Sequence, residues 1–131
     1  MDDLARFLRD RLDEDKRQAE AAMTYAAADW FIETSGIVTT GPDGDAYTDD
    51  REVAAHIARH DPARVLAEVD VKRRALDEYV ATGEAMDQAF RDNNTAGYNS
   101  ASAERKVLER IIRREATVHA DHPDYREGWR P

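Results

Sequence analysis

The 131-residue chain contains no cysteine, it has no long apolar run, and its acidic residues outnumber its basic ones. The absence of cysteine excludes disulfides, thiolate metal ligands and thiol nucleophiles. No stretch approaches the roughly 20 apolar residues that cross a bilayer. The start of the chain also lacks the cationic segment and apolar run of a secretory signal. We therefore expect a cytoplasmic protein that does not associate with membranes.

The net charge of −9 narrows the class of protein further. Affinity for phosphate backbones comes mainly from Lys and Arg, so this charge argues against general nucleic-acid binding. It suits a protein that binds a basic partner. The sequence has no glycine-rich phosphate loop and no serine in a nucleophile elbow, and nothing selects one carboxylate as a general acid or base. These absences favour a protein without catalytic activity.

Apolar residues at helical spacing define most of the chain. Leu4, Phe7, Leu8 and Leu12 follow the i, i+3, i+4, i+8 pattern of one helix face. The last helix carries the strongest apolar stripe, which consists of Val107, Leu108, Ile111, Ile112 and Val118. Between these helices, residues 29–48 are rich in aromatic, β-branched and turn residues, which favours short strands. The chain therefore combines helices with a small sheet.

Turn and cap residues separate the predicted elements. Ser35-Gly36 and Pro42-Asp43-Gly44 have the composition of turns between strands. Asp49 or Asp50 is expected to cap the following helix, and Asp61-Pro62 is expected to end that helix and begin the next. Residues 93–102 have the composition of a loop.

We predict an α+β fold that is mainly α: a small helical bundle carrying a two- or three-stranded antiparallel hairpin or meander. The chain is expected to form a single domain, 1–131. Its predicted boundaries are a helix at 2–28, the hairpin or meander at 29–48, helices at 50–60, 62–81, 84–92 and 102–119, and a C-terminal tail at 120–131.

Three stretches carry a resemblance to a known family. They are "FLRDRLDED", "DDREVAAHIARHDPARVLAEVDVKRRALDEY" and "ADHPDYREGWRP". In these stretches the chain resembles a family of short proteins from actinobacteria and their phages, the domain of unknown function 6221. The resemblance implies an actinobacterial or phage origin, and it supplies no catalytic residues to transfer.

All four histidines fall into two pairs. His56 and His60 are four residues apart, which places both on one helix face and suits a shared metal ion. His119 and His122 are three apart, and Asp121 lies between them. Imidazole ligands favour a divalent transition metal such as zinc, nickel, copper or iron. The alternative is that the imidazoles line the edge of the core and bind no metal.

The tail offers a second type of candidate site. Tyr125 and Trp129 belong to the residue types that dominate interface hot spots. The other interpretation is that the tail folds back and Trp129 covers the edge of the core. We expect a protein-interaction module of the adaptor or inhibitor type, with an unknown protein partner. A histidine metal protein, structural or hydrolytic, is the alternative, and an acidic DNA mimic is a further one. A homodimer is expected if the amphipathic helices bury their remaining apolar surface between copies.

Overall fold

The computed structural model of the chain describes residues 1–34, 36–42, 44–48 and 50–131. The described residues form an α+β fold that is mainly α, which confirms the predicted class. No helix among them has the length and apolar character needed to cross a membrane. In chain order the elements are α1 (Asp3–Ala22), β1 (Phe31–Thr34), β2 (Ile37–Gly41), β3 (Gly44–Tyr47), α2 (Arg51–Arg59), α3 (Pro62–Arg91), α4 (Thr95–Thr117) and a short 3-10 helix (Glu127–Trp129).

The described residues divide into two compact units. The first, called the terminal unit, consists of Met1–Leu12 and Val71–Pro131. The second, called the sheet unit, is Asp13–Asp70. Helices α1 and α3 each contribute residues to both units.

The sheet is an antiparallel meander in the order β1-β2-β3. The sequence predicted two or three strands, and the structure has three. Val38 at its centre pairs with Ile32 on β1 and Ala46 on β3, and its side chain is fully buried. Helix α2 packs on β1 and β2. Three of the residues predicted to form turns or a cap, Ser35, Asp43 and Asp49, lie outside the described residues.

Gly36 has a backbone conformation that other residues rarely adopt. Its φ is +82°, in the left-handed region, and an added Cβ would clash with the carbonyl oxygen of Thr48. Its own carbonyl accepts a 2.8 Å hydrogen bond from the Thr48 amide. The predicted turn glycine is therefore required both by the backbone conformation and by this close approach.

Two aspartates begin the helices of the sheet unit. Asp50 is the N-cap of α2, and its side chain accepts hydrogen bonds from the amides of Glu52 and Val53 at 2.8 and 3.1 Å. These amides hold the pKa of Asp50 below its usual value. Asp61 accepts hydrogen bonds from the amides of Trp30 and Arg64, at 3.0 and 2.9 Å, and α3 begins at the next residue. The predicted helix-to-helix corner is confirmed.

The predicted break at residues 82–83 is wrong, because α3 is one helix from Pro62 to Arg91. The Thr82 hydroxyl donates to the Tyr79 carbonyl one turn earlier, at 2.7 Å, so it does not compete with the helix. Gly83 is tolerated because the side chain of Arg105 fills the space beside it.

The predicted loop at 93–102 and the helix start at 102 are also wrong. Asn93 turns the chain with a φ of 52°, and the Asn94 side chain accepts from the Gly97 amide at 2.9 Å. Helix α4 therefore begins at Thr95. Small polar residues resemble a loop by composition, but here one of them is a cap and the following residues continue the helix.

Helix α1 is shorter than predicted, since it ends at Ala22 and not at residue 28. The residues that follow form hydrogen bonds with other parts of the sheet unit. The Ala27 amide donates to the Thr40 carbonyl, and the Ala28 carbonyl accepts from the Ala63 amide. Tyr25 is almost fully exposed, so burial of its ring does not stabilise a longer helix. The predicted helices at 50–60 and 102–119 end within two residues of the observed ends.

Burial divides the apolar stripe of α4 into two faces. Leu108 and Ile112 are buried, whereas Val107, Ile111 and Val118 are exposed. The predicted stripe spans well over 100° of the helix circumference, which is wider than the face that the terminal unit covers. Sequence periodicity predicted the apolar stripe but not the boundary between its buried and exposed residues.

We expect Ile112→Ala to lower the free energy of unfolding by about 2–5 kcal/mol, because Ile112 is fully buried and its loss leaves a cavity. The neighbouring Ile111→Ala is the matched control, with an expected change within about 0.5 kcal/mol. Urea unfolding monitored by circular dichroism measures both. Equal losses in the two variants would contradict this division of α4.

Candidate functional site

The first histidine pair lies on α2, in the sheet unit, and both side chains are exposed. The ring centroids of His56 and His60 are 4.3 Å apart, and Nδ1 of His60 lies 2.8 Å from the carbonyl oxygen of His56. A carbonyl can only accept, so His60 Nδ1 carries the proton and Nε2 is the nitrogen left for another partner. The core-facing residue of the helix is Ala54, not a histidine.

Carboxylates lie near the first pair without completing a ligand set. His60 shares the lining of a cavity of about 320 Å³ with Asp15 and Glu68. Glu68 already pairs with Arg64, at 2.7 Å. Among the residues that the structure describes, no group of three or more His, Asp or Glu side chains is arranged to hold a metal ion.

The second histidine pair belongs to the terminal unit and contacts Phe7. The rings of His119 and His122 lie 6.4 and 5.7 Å from the Phe7 ring, edge to face. His122 Nδ1 accepts a hydrogen bond from the Asp124 amide at 3.1 Å, and Nη1 of Arg11 lies 3.0 Å from Nδ1 and 2.8 Å from Nε2. Because the Asp124 amide is a donor, Nδ1 of His122 acts as an acceptor. A metal ion at Nδ1 would have to displace both contacts.

The C-terminal tail folds back onto the start of α1 within the terminal unit. The rings of Trp129 and Tyr125 lie 5.1 and 6.0 Å from the ring of Phe7, which is buried. Arg126 pairs with Asp3 at 2.7 Å. Of the two predicted arrangements, the tail adopts the one in which Tyr125 and Trp129 cover the edge of the core.

Sequence reasoning missed a polar cluster of Asp2, Tyr79 and Arg105 in the same unit. The Tyr79 hydroxyl donates to Asp2 at 2.5 Å, and Arg105 donates to Asp2 and to the Tyr79 carbonyl, each at 2.9 Å. The guanidinium also lies 3.9 Å from the centroid of the Tyr79 ring. Asp2 accepts as well from the Ala5 amide, at 2.9 Å, and so caps the first turn of α1. The cluster joins three helices of the terminal unit.

Gly83 is the residue that gives Arg105 its position in this cluster. A Cβ at Gly83 would lie 2.7 Å from Nη1 of Arg105. A glycine inside a helical pattern can mark such a close approach, so Gly83 is the sequence signal for this cluster. Burial, and then the Asp2 carboxylate, raise the pKa of Tyr79 well above its usual value. The cluster is structural, because each of its polar groups already has a partner.

The outer face of α4 presents apolar side chains to solvent. Val107, Ile111 and Val118 are 49%, 37% and 72% exposed. At 3.6 residues per turn they lie within about 40° of one another around the helix axis. The buried residues Leu108 and Ile112 lie about 60–140° further around the helix axis. We call this set, with the three cations described next, the α4 outer face.

Three cations follow one edge of the apolar stripe. Lys106, Arg110 and Arg114 repeat every four residues, and all three are exposed. Among the described residues none of the three takes part in an ion pair or a side-chain hydrogen bond. The other two cations of the helix are engaged, Arg105 with Asp2 and Arg113 with Glu109 at 2.8 Å. Carboxylates therefore neutralise only part of the basic side of α4.

A further apolar surface lies at the corner between α3 and α4. Phe90 is 76% exposed and borders a cavity of about 390 Å³ that Tyr98 and Asn94 also line. The surface is aromatic and neutral, and it carries no charged group in its lining. It therefore lacks the charge pattern that distinguishes the α4 outer face.

Comparison with known proteins places the whole chain in one family. The model of a family described as "Family of unknown function (DUF6221)" matches residues 1–131, which extends the resemblance found in three stretches to the full length. No curated protein and no solved structure matches the chain.

We expect the stability of the protein to decline as the pH rises above about 10, because the fold holds Tyr79 protonated while the unfolded chain releases the proton. The raised pKa contributes stability that is fully present below the unfolded value and is lost above it. Tyr79→Phe is expected to cost about 0.5–1.5 kcal/mol near neutral pH and to flatten the alkaline decline. Urea unfolding between about pH 8 and pH 11 measures both effects.

The matched control for that experiment is Tyr25→Phe, because Tyr25 is 92% exposed and has little to lose. Its unfolding curves should match those of the wild type at every pH. An alkaline decline of the same steepness in Tyr79→Phe and wild type would contradict the assigned role of Tyr79.

Proposed function

We propose that this chain, which belongs to the DUF6221 family of unknown function, is a small cytoplasmic protein-interaction module that acts without catalysis. The observation that supports the proposal is the α4 outer face. It combines exposed aliphatic side chains with cations that have no partner among the described residues. A partner that covers this face would bury Val107, Ile111 and Val118 and would give Lys106, Arg110 and Arg114 counter-charges.

The energetics favour a covered face. Removing apolar surface from water contributes about 25 cal/mol per Å², and a contiguous apolar stripe on a helix is a common mode of protein recognition. Cations also border the stripe along one edge, and polar residues are typical of the rim of an interaction patch. The tail is a weaker candidate for partner binding, because Tyr125 and Trp129 already contact Phe7.

We also propose an actinobacterial or phage source for the chain. This proposal rests on the resemblance of its three quoted stretches and on the predominance of Arg over Lys, which is a bias of GC-rich genomes. It agrees with an adaptor or inhibitor role but does not define one.

Affinity purification in mild salt tests the interaction role. We expect the wild-type protein to recover a partner that Val107→Ser/Ile111→Ser fails to recover, because the apolar stripe is lost while the buried face of α4 is intact. Val53→Ser/Val71→Ser is the matched control, since it removes two exposed aliphatic side chains from other helices. The proposal fails if the protein always returns alone, or if all three proteins recover the same partner.

A histidine metal site on α2 is the second candidate function. The observation that favours it is the hydrogen bond from His60 Nδ1 to the His56 carbonyl, which fixes the tautomer and leaves Nε2 as a ligand atom. With two exposed imidazoles 4.3 Å apart, such a site would complete its coordination shell with water or with a carboxylate.

Elemental analysis and zinc titration of tag-free protein test the metal site. If the pair binds zinc, His56→Ala and His60→Ala should each weaken binding by at least about tenfold, as expected for loss of one of two protein ligands. His119→Ala should leave it unchanged. Zinc well below one equivalent, together with a melting temperature that a chelator does not change, would rule the site out.

A further inference from the structure

The α4 outer face has a charge pattern that restricts its partner. The whole chain carries a net charge of −9, yet this face carries three cations that have no partner in the described part of the chain, and its apolar stripe contains no exposed acid. Opposite charges across an interface steer association and fix the register of the partner. The complement of this face is therefore acidic, in contrast to the basic partner that the net charge alone suggests.

The spacing of the side chains also selects the backbone form of the partner. Lys106, Arg110 and Arg114 form an i, i+4, i+8 row, and Val107 and Ile111 form the row beside it. Rows of this kind are the ridges that another helix packs against. An extended peptide would gain its affinity from main-chain hydrogen bonds to a sheet edge, which a helix surface cannot offer.

We infer that the α4 outer face binds an acidic amphipathic helix of another protein. The inference rests on the proposed interaction function and names the chemistry of its partner. From Lys106 to Val118 the face is about 18 Å long at 1.5 Å per residue, so a partner helix of about four turns covers it. The partner presents an aliphatic stripe to Val107, Ile111 and Val118, and a row of Asp or Glu to the three cations.

Other occupants fit less well. Membrane-surface helices are rich in Trp, Phe and Leu on the buried face, whereas this stripe has only Val and Ile, and the net charge of −9 opposes anionic lipid. A second copy that paired antiparallel through the same face would bring the two rows of cations together, because a two-fold axis keeps them on the same side. An acidic helix of a different chain meets neither objection.

Charge-swap binding tests the inference. The probe is a synthetic helical peptide of about 20 residues with a Leu stripe and a Glu row, and it is compared with the same peptide carrying Lys in place of Glu. Methyl NMR shifts of Val107, Ile111 and Val118 locate binding, and fluorescence anisotropy at low and high salt gives affinity. We expect the Glu peptide to shift these three residues and the Lys peptide to bind at least about tenfold more weakly, with a preference that salt reduces.

The variant Lys106→Glu/Arg110→Glu/Arg114→Glu should reverse the preference, so that the Lys peptide binds and the Glu peptide does not. Such a reversal separates charge recognition from misfolding. The matched control is Arg17→Glu/Arg51→Glu/Arg59→Glu, which changes the net charge equally at exposed positions of the sheet unit and should keep the wild-type preference.

Four results would overturn the inference: equal affinity for both peptides, shifts confined to residues elsewhere, binding to phosphatidylserine vesicles but to neither peptide, or a dimer that buries the same methyl groups. The proposed function is tested separately. If Val107→Ser/Ile111→Ser loses a captured partner while the charge swap has no effect, the interaction role stands and the acidic-helix partner is wrong. If the charge swap reverses the peptide preference but no cellular partner is captured, the preference of the face for acidic helices stands and the interaction role in the cell is wrong.

Discussion

Burial of one side of α4 is the constraint on which the proposed partner-binding surface depends. Leu108, Ile112 and Ala116 are buried. Because the helix is rigid, the burial of one side also fixes which residues lie on the opposite side. Val107 and Ile111 must then face solvent, and so must the cations that precede each of them in the sequence. The apolar and basic character of the outer face is thus a consequence of how the terminal unit forms its core.

Electrostatics separates the cations of the same helix into two groups. Arg105 and Arg113 are partly covered and have carboxylate partners at 2.9 and 2.8 Å, so they contribute to the structure of the terminal unit. Lys106, Arg110 and Arg114 are exposed and have no partner among the described residues. A half-covered ion pair holds its geometry better than an exposed one, which salt screens. The outer group is therefore the one available to a second molecule.

The histidines illustrate how environment decides the chemistry of one residue type. His122 accepts hydrogen bonds beside Phe7 and helps to hold the tail, whereas His60 is exposed and donates to the carbonyl of the preceding helical turn. Spacing alone treats the two pairs as equivalent. Their hydrogen bonds make them different, since one ring is an acceptor within a packed cluster and the other keeps a nitrogen directed away from its own helix.

Local periodicity and turn chemistry were enough to predict the fold class, a hairpin or meander of two or three strands, the Asp61-Pro62 corner and the core stripe of α1. The predictions of a helix end at Gly83 and of a later start for α4 were wrong. Arg105, from another helix, packs beside Gly83, and the Asn94 side chain caps α4. Tertiary contacts determine which side of α4 is covered, where the Asp2–Tyr79–Arg105 cluster forms, and that the tail aromatics pack on Phe7. These features depend on contacts between residues far apart in the chain, and a local pattern contains no information about such contacts.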